Sequence, residues 1–361
     1  IVDIAFDTRG RMWASTASEY PAVSFGENTN FGQMLKREGL KPSPRVEALW
    51  RDGGVDQILV FDNPTAKKVN RPRLFSEGHA MPMGVLPYKN GAIIIDGVRL
   101  KYLADNNGDD RADEVTLLAD GFGTQDTHTG AHGLKYMPGD WVTIINGVLN
   151  WGDIVDASGK TTPFEGTGVA FIRPDGTDFH VVQKGFQNIW GFHHGVEGET
   201  WMHEANNLGY PLAPFYEHFA YPMTTPKELL YRDYMTLYPP LGNIDLEGSS
   251  LSGLERSEDL VGGFPAEWQN YFFIAHPLPR KIHALTAMRR PDQSYELKRG
   301  PDLLISKDPN FRPIDLEFGP DGCLYVVDWY NPVISHNGIQ RDHPLRNKFY
   351  SRIWRIRHAS Q

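Results

Sequence analysis

The sequence predicts an all-β fold, a six-bladed β-propeller of four-stranded antiparallel blades with loop insertions, occupying residues 1–361 as one domain. Three observations predict it. Helical periodicity is scarce, while short β-rich runs bounded by Gly, Asp, Asn and Pro recur along the chain. A strand–turn–strand unit repeats six times. The outer parts of two of these repeats also match each other, in the same order. The composition agrees: 361 residues, 40% hydrophobic and 12% aromatic, with 36 Gly and 26 Pro, make a globular chain rich in turn formers.

The first repeat is Ile4 to Asp7, a turn at Arg9-Gly10, then Arg11 to Ala14. The second is MGVLPYKNGAIIIDG from Met83, the third HGLKYMPGDWVTIING from His132 and the fourth IWGFHHGVEGETWMHEAN from Ile189. A degraded fifth joins GSSLSGLE to NYFFIAHPL, and the sixth is PIDLEFGPDGCLYVVDWY from Pro313. The outer run 56–78 parallels 99–121. A spacing of roughly 45 to 70 residues, with about four strands per unit, is that of propeller blades. SRIWRIRH, from Ser351, reads as an outer strand that closes the ring. The segments 19–54 and 209–243, the second rich in Tyr, Pro and Met, read as insertions.

Composition excludes several classes. Net charge is −9 and no run of Lys and Arg tracks a phosphate backbone, so no nucleic-acid partner is expected. Cys323 is the single cysteine, which rules out an internal disulfide and a C-x-x-C-H haem attachment. No stretch reaches the roughly 18 apolar residues of a spanning helix, and Ile1 opens into a strand-like run without a signal peptide. A Gly-rich phosphate loop and a G-x-S-x-G elbow are also missing.

In a propeller, the residues before the first strand and after the second strand of every blade converge on one face. Here the first set contains His79, Asp126, His128, Asn188, Ser250 and Arg312. The second contains Asp96, Asn146, His203, Glu204, Asn206, His276, Arg280, Asp328 and Tyr330. Polar groups thus recur at equivalent places, as a ring-shaped site would require. His203, Glu204, Asn206 and His276 supply nitrogen and oxygen donors for a divalent metal, with a hydrogen-bonded, water-filled channel as the alternative. Arg280 and Arg312 suit a carboxylate or phosphate, or pair with neighbouring acids such as Asp315. His79, Asn188, Trp190, Asp328 and Tyr330 complete a substrate-binding set, although most tryptophans of this chain are expected in the inter-blade core. Of His193 and His194, one at most faces the channel, because adjacent strand residues point to opposite sides. The acidic run from Asp105 to Glu114 has calcium-loop character at Asp105, Asn107, Asp109 and Asp113, with Asp110 at the sixth position where glycine is usual; a solvated hairpin is the other reading.

At DNNGDDRADEVTLLADGFGTQDTHTGAHGLKY, and again at FRPIDLEFGPDGCLYVVDWYNPVISH with RIWRIR after it, the chain resembles the membrane-bound-dehydrogenase-like, haem-associated propeller proteins of planctomycetes and verrucomicrobia. These are themselves similar to soluble quinoprotein glucose and sorbosone dehydrogenases. The resemblance implies a periplasmic or secreted protein acting on a carbohydrate, with pyrroloquinoline quinone as a candidate cofactor beside calcium or another divalent metal. His128 falls where that family has its general base, with Asp126 beside it to orient the ring, bind metal or cap the turn. Gln187 stands where the G-x-R-N-P motif of the sugar dehydrogenases has arginine. Lacking a haem motif, the chain would need a separate electron acceptor such as a c-type cytochrome. The expected function is a sugar-dehydrogenase-like oxidoreductase with catalytic His128, Asp126 and Arg312. The alternatives are a metal-dependent carbohydrate lyase or hydrolase and a non-catalytic binding or assembly module.

Overall fold

The computed structural model describes residues 1–22, 43–69, 71–206, 211–220, 244–258, 264–292, 294–334 and 343–357. Part of the expected insertion 19–54, and most of 209–243, lies outside them. Within the first insertion the α-helix Pro44–Asp52, the one among the described residues, starts on a proline, which needs no N–H there, and stops at Gly53, whose φ of 85° few other residues accept.

The strands follow the repeats. The first sheet is β1 (Asp3–Phe6), β2 (Met12–Ser15), β3 (Asp56–Phe61) and β4 (Arg73–His79). The second begins with β5 (Pro82–Tyr88), β6 (Gly91–Asp96), β7 (Arg99–Ala104) and β8 (Glu114–Asp120). The third opens with β9 (Tyr136–Met137) and β10 (Trp141–Asn146). The chain then leaves it for β11 (Trp151–Asp156) and β12 (Thr161–Glu165), which extend the second sheet, and returns as β13 (Gly168–Ile172) and β14 (His180–Lys184). The fourth sheet is β15 (Ile189–His194), β16 (Thr200–Glu204) and β17 (Ala213–Pro214), and β18 (Phe219–Ala220) lies parallel to the end of β14. The fifth holds β19 (Ser252–Arg256), β20 (Phe272–His276), β21 (Lys281–Arg289), β22 (Tyr295–Arg299) and β23 (Leu304–Ile305). The sixth is β24 (Pro313–Phe318), β25 (Leu324–Asp328) and β26 (Arg352–Ile356), the last being the third strand expected from SRIWRIRH.

These sheets are the blades of a six-bladed β-propeller, and each repeat contributes the first two strands of its blade. Among the described residues, the expected four strands are found in the first blade, and the others differ. The second has six, because β11 pairs its Val155 and Asp156 with Asp120 and Ala119 of β8 and so covers an edge that would otherwise be open. The fourth and sixth show three each among the described residues.

The chain forms two compact units, one of Val2–Val182 with Asn337–Lys348 and one of Ile1, Gln183–His336 and Phe349–Gln361. In the first unit every residue of β6 is buried, because both of its faces are covered. Ala92 and Ile94 enter a cluster with Trp13, Ile58, Val60 and Phe75, while Ile93 and Ile95 join Leu86, Leu134, Val142 and Ile144 on the opposite face. The two-residue period divides one apolar run between two inter-blade cores. In the second unit Phe273, Ala275, Ile282 and Ala284 pack with Phe311, Leu316, Leu324 and Val326 in the same manner.

The second unit also buries a charged tie. His193 on β15 lies between Glu255 of β19, 3.3 Å from Nδ1, and Glu258, 3.5 Å from Nε2. Burial opposes its charge, but the two carboxylates outweigh burial and raise its pKa to about 9. Its neighbour His194 instead meets Thr200 Oγ1 at 2.7 Å on the other side of the strand, as the alternation requires. A raised folded-state pKa stabilises fully below the unfolded value of about 6.5 and fades as pH climbs towards 9. The unfolding free energy from urea titrations should therefore fall across that window by on the order of 3 kcal/mol, and His193→Gln should flatten the slope.

Candidate functional site

The recurring polar residues have a common place and a common task. The second strand of every blade ends on a buried polar residue: Ser15, Asp96, Asn146, Glu204, His276 and Asp328. In four blades a register shift opens the first strand, between Pro82 and Gly84, Ile189 and Gly191, Ser252 and Leu254, and Pro313 and Asp315. A bulge leaves backbone groups without ladder partners, and the polar side chain opposite meets those just before it. Asp96 Oδ1 accepts Ala80 N at 2.6 Å, Glu204 Oε2 accepts Gln187 N and Asn188 N at 2.7 and 2.8 Å, and Asp328 Oδ1 accepts Arg312 N at 2.8 Å. In the fifth blade His276 Nε2 lies 2.9 Å from Ser249 O and donates to it.

Several expected site residues take part in this arrangement. Glu204 also accepts Asn206 N, so both its oxygens face backbone amides; burial raises its pKa to about 7 against those three bonds. His276 Nδ1 lies 3.0 Å from His283 Nε2, and His283 Nδ1 lies 2.8 Å from Asp302 Oδ1, which commits both rings to one buried chain. His203 is fully buried and packs on Gly191, where any Cβ would come within 2.6 Å of its Nε2. The set His203, Glu204, Asn206 and His276 is not brought together as ligands, and no group of three or more His, Cys, Asp or Glu among the described residues is arranged to hold a metal. Asp328 likewise serves structure: besides Arg312 N it accepts Tyr330 N, Arg352 Nε and Trp354 Nε1. Tyr330 carries the Arg352 guanidinium 4.0 Å over its ring, so one face is taken. His79 is held at both nitrogens, by Asp96 and Ser76.

The acidic loop is also turned inward. Asp105 accepts the amides of Gly108, Asp109 and Asp110, Asp113 those of Asn106 and Asn107, Asn107 that of Asp109, and Asp109 that of Arg111. Asp110 adopts the left-handed φ of 66° that glycine usually supplies. These side chains of the four expected calcium ligands thus accept amides of their own loop, and no group of three or more His, Cys, Asp or Glu among the described residues is arranged to hold a metal.

Two further places hold expected site residues. In the first unit, His128 sits on a single turn of 3-10 helix, Thr127–Thr129, and is half-buried. Asp126 caps that turn, its Oδ1 accepting His128 N at 3.1 Å. Asn150, fully buried, accepts Asp126 N and donates to Asp126 O and Thr129 O, at 2.7 to 3.0 Å. Thr127 Oγ1 ties the turn to Ala22 O, and the Tyr20 hydroxyl donates to His128 O at 3.4 Å with the two rings 6.0 Å apart. Burial and the Asp126 charge push the Tyr20 phenol well above its ordinary pKa, against the buried Arg346, which donates to Tyr20 O. Asn150 and Arg346 carried no sequence signal, since each acts across more than 20 residues. Gly147 completes the lock: its N–H donates to Thr129 O, and a Cβ there would enter the Thr129 side chain and come 2.6 Å from its carbonyl oxygen. Gly147→Ala should therefore shift the His128 turn and lower stability by about 1–3 kcal/mol, read from the denaturation midpoint.

In the second unit, Arg280 and Arg312 meet at the loop after β20. Arg312 is 5% exposed and its Nη1 donates to Pro277 O and Phe311 O, both at 3.2 Å. Burial and then the nearby Arg280 charge depress its pKa. The Nε of each arginine is buried without a hydrogen-bond partner, and neither forms an ion pair among the described residues. A buried donor left unmade costs roughly 1–3 kcal/mol, so two in one place mark a site for an acceptor. Arg280 also holds a left-handed φ of 61°. The expected pairing of these arginines with Asp315 is absent. Asn188, another expected contact, has a buried Oδ1 without a partner, and Trp190 is half-buried on β15. A carboxylated quinone is the kind of group two such guanidiniums fit.

The fold is thus that of a propeller whose repeated polar residues bind backbone at the starts of its blades, with a histidine on a locked turn in one unit and an arginine pair in the other. Over residues 1–227 and 260–360 the chain matches the family described as a domain of unknown function, DUF7133, and it belongs to that family. No curated protein matches it. Among solved structures it is similar to a glucose dehydrogenase, at 18% identity and a TM-score of 0.49 over 75% of this chain and 89% of that one. It is also similar to the PQQ-bound form of an aldose sugar dehydrogenase from Streptomyces coelicolor, at 11% and 0.49 over 95% and 97%. A third is a luciferin-regenerating enzyme, at 8% and 0.47 over 99% and 90%. None of these likenesses assigns an activity to this chain. No helix of the described residues is long and apolar enough to cross a membrane.

Proposed function

We propose that the chain is a sugar-dehydrogenase-like oxidoreductase in which His128 is the general base. The observation that carries this reading is the His128 turn: a half-buried imidazole on a backbone fixed by Asp126, Asn150 and Gly147. Such rigidity is what a proton acceptor needs, because the cost of orienting it is met before substrate binds. An imidazole nitrogen of His128 takes the proton of a sugar hydroxyl as hydride leaves the carbon that bears it, and a carbonyl forms. Asp126, in the same turn, favours the imidazolium so produced. Tyr20, kept as a neutral phenol, packs beside the ring and shields it from water. The quinone implied by the sequence resemblance supplies the two-electron acceptor when bound.

The test is dye reduction by the purified chain with pyrroloquinoline quinone, calcium and a panel of aldoses. Reduction that depends on both sugar and quinone is expected. Failure with every sugar overturns the reading.

A further inference from the structure

We infer that His276, His283 and Asp302 form an acid-set latch beneath the turn at residues 277–280, closed by one proton more than two neutral imidazoles and a carboxylate carry. This latch is independent of the oxidation proposed above, and its test needs neither sugar nor quinone.

Three hydrogen bonds run in line: His276 Nε2 to Ser249 O at 2.9 Å, His276 Nδ1 with His283 Nε2 at 3.0 Å, and His283 Nδ1 with Asp302 Oδ1 at 2.8 Å. Each bond needs one proton, so the line holds three. Two neutral imidazoles and an ionised Asp302 supply only two, because a neutral imidazole has a single N–H and a carbonyl oxygen only accepts. The third proton makes one of the rings an imidazolium, and both rings are fully buried. Burial opposes that charge, pushing His276 down to about 4 and lowering His283 against the pull of the Asp302 carboxylate. The third proton therefore leaves on the acid side of the ordinary imidazole value of about 6.5. Among the described residues, three charged groups face the line. Lys281 of β21 lies 3.3 Å from Asp302 Oδ2, Arg299 of β22 lies 3.2 Å from Asp302 Oδ1, and Glu247 is 2.6 Å from both cations. Arg299 Nη2 also lies 3.5 Å from His283 Nδ1, but its two N–H groups are spent on Glu247 and Asp302. Against burial, His283 and Arg299 hold the Asp302 carboxyl below its ordinary range. The charge-assisted bond from His283 to Asp302 thus survives loss of the proton, and the bond between the rings opens with two bare nitrogens face to face. His276 ends β20 and Lys281 begins β21, so the turn between them stands on that bond. The ends of the turn are tied elsewhere, Arg280 O to Ser306 N at 3.0 Å and Pro277 O to Arg312 Nη1 at 3.2 Å, so a shift of His276 is passed to both contacts.

Two measurements on the full chain, from about pH 4 to about pH 8, test the latch. Nitrogen NMR of histidine-labelled protein should show one coupled transition of His276 and His283 on the acid side of the ordinary imidazole value. Hydrogen exchange read by mass spectrometry should show protection over residues 276–283 falling about tenfold in the same interval, after correction for intrinsic exchange. Asp302→Asn replaces the extra proton: its amide N–H donates to His283 Nδ1, so two neutral rings keep all three bonds. Protection in this variant should stay at the acid level at every pH. His283→Gln has no proton to lose in the range and should also abolish the step, and circular dichroism checks that both variants fold. If neither ring titrates, if exchange over 276–283 shows no step, or if either folded variant keeps the parent's step, the latch is refuted.

Discussion

Replacing His128 with glutamine should lower kcat for sugar-dependent dye reduction by about 10²–10⁴-fold, the usual contribution of a positioned general base. Glutamine is similar in reach and cannot take a proton at neutral pH, while the backbone N–H that Asp126 holds is unchanged. KM should therefore move little, and the acid limb of the pH–rate profile should disappear. Asp126 offers a control within the turn. Asp126→Asn keeps an oxygen for the His128 amide and removes only charge, so its loss measures how far the carboxylate stabilises the imidazolium. Asp126→Ala also removes the cap and should cost stability, by about 1 kcal/mol. If His128→Gln keeps its parent's rate, the turn is a structural feature and the proposed chemistry lies elsewhere.

The second large effect is structural. Asp328→Ala should lower stability by about 3–5 kcal/mol, read from the urea midpoint, because it leaves the amides of Arg312 and Tyr330 and the side chains of Arg352 and Trp354 without their shared acceptor. Asp328→Asn should cost less, since one oxygen remains to accept. The loss should reach Arg312 as well, because its backbone is pinned by this carboxylate. A midpoint unchanged in Asp328→Ala would show that the polar end of the second strand does not close the blade.

Much of the architecture was legible because the signals are local. The run from Gly91 to Asp96 is apolar throughout, which a strand needs when both faces are buried, and the same pattern in six copies requires blades. The strand count per blade was not legible. The hairpin β11–β12 joins the second blade through two residue pairs with β8, and no local pattern marks which edge it will choose. The candidate site divides in the same way. Glu204 and Asp328 were correctly seen to recur at one structural position, but that position faces the bulged start of the neighbouring strand. Recurrence reflects a backbone demand that these side chains meet.

What the sequence by itself determined is the six-fold series of strand pairs and the residues at the ends of those pairs, since period and spacing are properties of neighbouring residues. What only the tertiary structure decided is which of those polar groups are spent. A carboxylate's role depends on the donors that reach it, and those come from across the sheet, as with Asn150 on the His128 turn 24 residues away and Arg352 on Asp328 at the same separation. Once these bonds are drawn, many polar groups of the expected ring are seen to hold backbone, while His128 stands on a capped turn and the Nε atoms of Arg280 and Arg312 are buried without a hydrogen-bond partner.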